Sequence, residues 1–518
     1  LLVLGLFFFC AFAVIGLRMG VLATSEAAEP LATAQGSVIA AQRGDIVDRQ
    51  GRILATNMET HSLYAQPPFM IDPTAAVEGL VRIFPDLDRE RLLKDFTGKR
   101  KFVWIKRKIS PEQKQAVHDM GEPGLLFGPR EMRLYPNGRL AAHVLGGASF
   151  GKEGVTAAEL RDPANAGKPL ALSLDLMVQA AIERVLFGGM KLMNAKGATA
   201  VLMDVHTGEV LSLVSLPDFD PNDRPAPPTS GFAPSDSPLF NRAVQGVYEL
   251  GSGFKIFAAA QALDLGLVSP ETIIDIRGPL RWGKFRISDF RYNGKELSVS
   301  RSIVKSSNIG TARLAQQIGV PRQKTFHAGL GLLDPTPLEI VEARGGAPLL
   351  PKNWSELSAM TISYGHGIST SPVHLAAAYS AIANGGRYVS PTLLRQSEPQ
   401  YGPRIMSIET AAAARSMLRQ VVTDGSASLG EVTGYAVGGK TGTADKPKPR
   451  GGYYEDRVLA TFSSVFPIND PKYALVVTLD EPSENSGREP RRTAGWTAVP
   501  VSAEIITRIA PLLGLRPD

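Results

Sequence analysis

The chain has 518 residues, more than one small domain uses, and its apolar fraction of 44% with 20% charged residues excludes a chain dominated by disorder. With 56 basic against 50 acidic residues, the net charge of +6 is too small at this length to argue for nucleic-acid binding. The single cysteine, Cys10, excludes internal disulfides and thiolate metal sites.

Residues 1–23 are apolar apart from Arg18. A bilayer span needs about 20 such residues, so a single N-terminal transmembrane anchor is expected ahead of a cleaved secretory signal or a buried core helix. The chain starts with Leu1 rather than methionine, and a preceding cytosolic tail is expected to be missing. Residues 24–39 are small and polar, as in a linker. Arg43-Gly44-Asp45-Ile46-Val47-Asp48-Arg49-Gln50-Gly51-Arg52-Ile53-Leu54-Ala55 reads as a strand, a turn at Gln50-Gly51 and a returning strand. Residues 73–120 alternate helical stretches with basic segments. The run from Leu140 to Leu145 ends at Gly146-Gly147. Residues 40–170 therefore form a mixed α/β domain without chemistry of its own, a pedestal.

Composition changes near Ala171, and residues 171–518 are expected to form a second domain. A strand-like entry leads into a helix through Gln179 to Val185. Two β-rich runs, 198–205 and 209–216, meet at His206-Thr207-Gly208 as a hairpin. Near the C-terminus, runs 457–466 and 473–479 repeat the pattern, and 501–512 reads as an amphipathic helix. Strands at both ends of this region with helices between them predict an α+β fold, an antiparallel sheet covered by helices.

Within that helical middle, Ser252-Gly253-Phe254-Lys255 follows the break Leu250-Gly251 and precedes the apolar run Ile256-Phe257-Ala258-Ala259-Ala260. On a helix this spacing puts a hydroxyl and an amine on one face, as a serine nucleophile and its proton acceptor require. The pattern alone is cheap, because Ser149-Phe150-Gly151-Lys152 and Ser302-Ile303-Val304-Lys305 match it too. Ser149 reads as loop; Ser302 and Lys305 read as the polar face of a helix leading into Ser306. Ser306-Ser307-Asn308 and Lys440-Thr441-Gly442-Thr443-Ala444 complete an ordered triple, whereas Ser483-Glu484-Asn485 reads as loop. Residues 434–441 also satisfy the phosphate-loop pattern Gly-x-x-x-x-Gly-Lys-Thr, but Pro447 prevents the helix such a loop must feed. Seven dispersed histidines without a His-Glu-x-x-His pair predict no metal, and no cofactor is expected.

Ser-x-x-Lys, Ser-x-Asn and Lys-Thr-Gly in this order form the penicillin-binding and class A β-lactamase signature. Together with Tyr248-Glu249-Leu250-Gly251-Ser252, Tyr364-Gly365-His366-Gly367 and Ser371-Pro372, they make the chain resemble the class B, high-molecular-mass penicillin-binding proteins, and within them the division-specific, FtsI-like branch. Two departures stand out: Leu250 where many relatives carry proline, and Gly253 where they usually carry threonine.

The resemblance implies a C-terminal penicillin-binding/transpeptidase domain of the serine β-lactamase-like fold and a single-pass protein of the bacterial inner membrane with its catalytic domain in the periplasm. It implies D,D-transpeptidation of peptidoglycan stem peptides during septal wall synthesis, with β-lactams bound covalently at Ser252. Ser252 would be the nucleophile, Lys255 its base, Ser306 the proton relay, Asn308 a ligand of the substrate amide and of Lys255, and Lys440 the nearby cation. Lys440, Thr441 and Thr443 would hold the terminal carboxylate, Gly442 would admit an extended peptide beside its strand, and the backbone N–H groups of Ser252 and Thr443 would form the oxyanion hole. A SEDS-family glycosyltransferase of the FtsW type and divisome proteins are the implied partners. A D,D-carboxypeptidase, a non-enzymatic penicillin-binding scaffold or a β-lactam sensor would share the motifs. A class A β-lactamase would need a deacylating glutamate, for which Glu339, Glu342 and Glu356 lack the usual setting.

Overall fold

The computed structural model describes residues 2–24, 44–146, 168–227, 231, 233–448 and 451–517. It divides into two units, Leu1–Arg43 and Gly44–Asp518. In the first, Leu2–Thr24 is a 23-residue helix, α1. Among the described residues no helix is long and apolar enough to cross a membrane. Residues 25–39 of the expected linker and the serine-lysine motif at 149–152 lie outside the described residues.

The second unit opens with β1 (Ile46–Val47) and β2 (Ile53–Ala65), antiparallel and joined at Gly51, whose φ of +84° favours glycine. The expected turn is where the sequence placed it, but the returning strand runs ten residues beyond Ala55. It is long enough to pair β1 at its start and both β3 (Val103–Ile109) and β4 (Leu125–Leu134) farther along. Three helices cover one face of this sheet: α2 (Pro73–Ile83), α3 (Arg89–Thr97) and α4 (Pro111–His118). Each starts at a side chain that accepts backbone N–H groups: Asp72, Asp88 and Ser110. Leu63, Val77, Leu80, Phe96, Val103 and Ile109 fill the core between sheet and helices.

The chain stays continuous in packing across residue 170. β5 (Leu170–Ala171) pairs in parallel with β1, and Ile46, Leu54, Tyr135, Val144 and Leu145 belong to the larger core that follows. Ions reinforce the junction. The buried Asp48 carboxylate accepts from Arg52 and from the backbone of Leu176, Arg52 also reaches Asp175 at 2.8 Å, and Arg49 reaches Glu209 at 3.2 Å.

The larger core surrounds a five-stranded antiparallel sheet. In chain order its strands are β6 (Gly197–Asp204), β7 (Val210–Leu216), β8 (Gly438–Pro447), β9 (Tyr453–Phe466) and β10 (Tyr473–Asp480); in space the order is β8-β9-β10-β6-β7. The C-terminal strands thus pair with the early hairpin, as expected of an α+β fold closed by its two ends. Helices α5 (Leu176–Leu192) and α10 (Ala498–Ile509) pack on each other and on the sheet. Between them in sequence lie α6 (Lys255–Asp264), α7 (Asn308–Ile318), α8 (Pro372–Ala383) and α9 (Ile408–Asp424). Every residue of α8 is buried, and it packs on β6, β9 and β10. Ser371 caps it and Pro372 opens it.

Candidate active site

β8 is an edge strand, and the turn that precedes α6 lies against it. Gly251–Phe254 forms a 3-10 turn that feeds α6 directly, so Ser252 stands at a helix start, partly exposed, with Lys255 one turn on and 1% exposed. Gly251 has φ +57°, the kind of conformation that breaks a chain before a helix. The turn is held from behind by Tyr379 of α8, whose hydroxyl donates to the Gly253 carbonyl at 2.8 Å, and by Phe254 and Phe257 packed edge to face. Among the described residues Ser252 Oγ has no hydrogen-bond partner.

Ser306 sits in the left-handed region at φ +59°, unusual for a residue with a side chain, immediately before the helix that Ser307 caps. Such a conformation costs on the order of 1 kcal/mol and persists only where the surroundings impose it. It turns both polar groups of Ser306 toward one amine: Lys255 Nζ donates to Ser306 O at 2.5 Å and lies 3.0 Å from Ser306 Oγ. Lys440, fully buried on β8, donates to the same Oγ at 3.0 Å and to Thr441 O at 3.2 Å. One hydroxyl therefore joins the two amines, which lie 185 residues apart in sequence.

Neither amine touches a carboxylate among the described residues. Burial pushes Lys255 well below its usual value, the charge of Lys440 pushes it further, and Asp289 opposes them. Burial alone takes Lys440 down to about 7. A lysine lowered by burial and by a neighbouring cation is what a base for a serine hydroxyl needs at neutral pH, and Lys255 is in that position.

The remaining expected residues distribute unevenly. Thr441 Oγ1 is 2.6 Å from Ser426 Oγ, and Thr443 Oγ1 accepts from Ala494 N at 3.0 Å. Asn308 does not reach Lys255; its amide donates to Ser288 O at 2.9 Å, because the segment before α7 turns it toward the 280–289 loop. Gly442 also has a second reason to be glycine: a Cβ there would lie 2.1 Å from the Leu250 carbonyl oxygen. A Cβ on Gly251 would lie 2.8 Å from Thr443 O and 3.3 Å from Thr443 N, so turn and strand touch backbone to backbone. The Thr443 amide is brought beside the serine turn.

Ser302 departs from expectation. It is wholly buried and its Oγ has no hydrogen-bond partner among the described residues, because the short helix Val299–Val304 packs that side inward under Gly310. Ser483 stays in a loop, as expected, and 438–447 is a strand rather than the start of a helix, which removes the phosphate-loop reading. Glu339 accepts from Thr392 Oγ1 and Leu393 N, which commits its carboxylate to structure.

Sequence reasoning missed a polar cluster beside the turn. Glu249 accepts from Gly367 N at 2.7 Å and from Tyr453 OH at 3.2 Å, and His366 Nδ1 lies 3.1 Å from it. Burial raises the Glu249 pKa, but these bonds outweigh it and the net shift is downward; the same bond raises His366. The Tyr364-Gly365-His366-Gly367 pattern was visible, but its partner three residues before the nucleophile had no local signal. Gly253, the departure from the usual threonine, has ordinary backbone and room: a Cβ would meet only Leu375 Cδ2, at 3.6 Å. Gly253→Ala is expected to raise stability by about 0.5–1 kcal/mol through the unfolded chain, read as an upward shift of the thermal midpoint with acylation retained.

Comparison with known proteins agrees with this geometry. A family model for the penicillin binding protein transpeptidase domain matches residues 198–506, and one for the penicillin-binding protein dimerisation domain matches 38–166. The chain is 36% identical over 99% of its length to a probable peptidoglycan D,D-transpeptidase FtsI of Caulobacter vibrioides, covering 88% of that protein. It is 26% identical to the peptidoglycan D,D-transpeptidase FtsI of Escherichia coli K12, over 93% of this chain and 85% of that one. Among solved structures it resembles penicillin-binding protein 3 of Mycobacterium tuberculosis complexed with aztreonam, at 25% identity and TM-score 0.70 over 92% of this chain and 97% of that one. The apo TP domain of Burkholderia pseudomallei penicillin-binding protein 3 matches at 32% identity and TM-score 0.59, over 67% of this chain and 97% of that one. With a transpeptidase model spanning more than half of it and a relative aligned along nearly its whole length, the chain belongs to the penicillin-binding protein transpeptidase family.

Proposed function

We propose that the chain is a peptidoglycan D,D-transpeptidase that cross-links stem peptides during septal wall synthesis through an acyl-enzyme at Ser252. The observation that carries the chemistry is the shared Ser306 hydroxyl, 3.0 Å from each of two buried amines beside the serine turn. The Lys255 amine takes the Ser252 proton as Oγ attacks the penultimate D-Ala carbonyl of a D-Ala-D-Ala stem. Negative charge on that oxygen meets the N–H groups of Ser252 and Thr443, where losing one donor typically costs about 3 kcal/mol. As the C–N bond breaks, the departing D-Ala nitrogen takes the hydrogen of Ser306 Oγ, which Lys255 replaces with the proton it took from Ser252, so the Lys255 amine is neutral again while Lys440 holds the Ser306 oxygen in place. The ester that remains is resolved by an amine of a second stem, with Lys255 again receiving the proton. Lys440 and the Thr441 and Thr443 hydroxyls hold the terminal carboxylate, and Asn308 the substrate amide. A β-lactam presents the same carbonyl and carboxylate but keeps its leaving group tethered, so it stays on Ser252.

We assign residues 40–170 to a pedestal and 171–518 to the transpeptidase domain, and read the apolar sequence 1–23 as the inner-membrane anchor that leaves the catalytic domain in the periplasm. An FtsW-like glycosyltransferase and divisome proteins are the partners this reading assigns. Donor pentapeptide incubated with a radiolabelled D-amino acid tests the reaction. Exchange product formed in preference to the hydrolysed tetrapeptide is the expected outcome; hydrolysis alone would make the chain a carboxypeptidase, and neither product would leave it a binding protein.

A further inference from the structure

The segment 277–295 leads straight into the site, and little of its charge is used there. It holds six basic residues against the single acid Asp289. Arg277 pairs with Asp275, while Arg281, Lys284, Arg286, Arg291 and Lys295 make no ion pair among the described residues. Residues Leu280–Trp282 and Phe285–Ile287 form a two-stranded arm around Gly283, whose φ is +55°.

The register of the arm sorts its side chains. Ile287 faces Leu280 and is buried, anchoring the base. Trp282 and Phe285 pair on the same side and stay exposed, at 36% and 50%. Arg281 and Arg286 oppose each other directly on the other side. Like charges in that position destabilise a strand pair, and an isolated two-stranded hairpin has little stability to spare. The base of the arm is tied to the catalytic motif itself: Ser288 O accepts from Asn308 Nδ2 at 2.9 Å, and Asp289 Oδ1 accepts from Ile309 N at 3.0 Å.

We infer that this arm binds the carboxylate-bearing peptidoglycan strand whose stem peptide enters the cleft, stacking sugar rings on Trp282 and Phe285 and pairing Arg281 and Arg286 with stem-peptide carboxylates. The inference rests on the transpeptidase reading and extends it from the dipeptide end of the substrate to the polymer behind it. A strand held there relieves the Arg281–Arg286 repulsion and covers two exposed aromatic faces at once. Attachment beside Asn308 favours the substrate polymer over an anionic lipid surface.

The test uses full-length protein whose cleft has been closed by a β-lactam, so that binding of soluble uncross-linked peptidoglycan strands reports surfaces outside it. The variant combining Arg281→Ala, Trp282→Ala and Arg286→Ala is expected to bind those strands about tenfold more weakly and with a flatter salt dependence, because two charge contacts are gone. Its β-lactam acylation rate is expected to stay within about twofold of wild type, since the arm touches none of the reacting groups. Equal strand binding by the two proteins would overturn the inference. So would a parallel fall in acylation, which would make the arm a support for the cleft, or binding of phosphatidylglycerol vesicles that strands do not displace. If the wild-type chain forms no β-lactam adduct at all, the transpeptidase reading fails instead, and strand binding to the unacylated proteins still decides the role of the arm.

Discussion

Replacing Lys255 by methionine is expected to slow acylation of Ser252 by a β-lactam by about a thousandfold, within the range a positioned general base supplies. Methionine has nearly the length of lysine and is apolar, so the 1%-exposed site is refilled rather than emptied. What is lost is the neutral amine that takes the serine proton, together with the bond to Ser306 O. The pH profile separates this from a folding defect. In the wild-type chain acylation rises with pH as Lys255 loses its proton, and burial with the Lys440 charge puts that rise far below the ordinary lysine range. Lys440 is protonated below about 7, so affinity for carboxylate ligands falls as pH climbs through that value. In Lys255→Met the plateau set by Lys255 disappears and the slow residual rate keeps climbing with hydroxide. A stopped-flow pH series with circular dichroism at each pH distinguishes the cases. A variant that keeps the wild-type profile at reduced amplitude would place the base elsewhere.

Gly442→Ala is expected to reduce acylation by more than about a hundredfold, the scale of a displacement near 1 Å in a catalytic constellation. Its Cβ would lie 2.1 Å from Leu250 O, a backbone atom two residues before the nucleophile, with Gly253 N 3.4 Å away. Neither partner is a flexible side chain, so strand β8 and the serine turn must separate. That moves Thr443 N away from Ser252 and Lys440 away from Ser306. Lys440 is also tied to Thr441 O, so it cannot follow independently. Leu250→Ala in the same assay is the contrast, because its carbonyl stays in place. If Gly442→Ala acylates at the wild-type rate, the backbone contact is slack and the glycine serves the substrate edge alone.

The features legible in the sequence are those with local causes. Ser252 and Lys255 share a helix turn, Gly51 and Gly208 mark hairpins by conformations only glycine takes easily, and the strand runs at 198–205 and 473–479 announce themselves by composition. Their pairing across the helical middle followed from layering alone. The rest depends on approach in space. Glu249 meets His366 and Tyr453 from 117 and 204 residues away, so its role has no sequence signal. Ser302 looks polar but lies on the inner side of a helix of six residues, too short for periodicity to assign a face. β2 continues through Asn57 and Glu59, residues held in strand by β4 rather than by their own preference. Composition shifts near residue 171, but Ile46, Leu54 and Leu145 share the larger core with residues beyond it, a packing that no local signal announces.

If Ser252 is the nucleophile and the buried Lys255 amine its base, intact-mass spectrometry over time with one β-lactam, followed by peptide mapping, reads both roles at once. A single adduct is expected, mapped to the peptide containing Ser252, formed within the mixing time by the wild-type chain and about a thousandfold more slowly by folded Lys255→Met. An adduct on another residue, or one that forms at the wild-type rate without the Lys255 amine, would contradict this assignment.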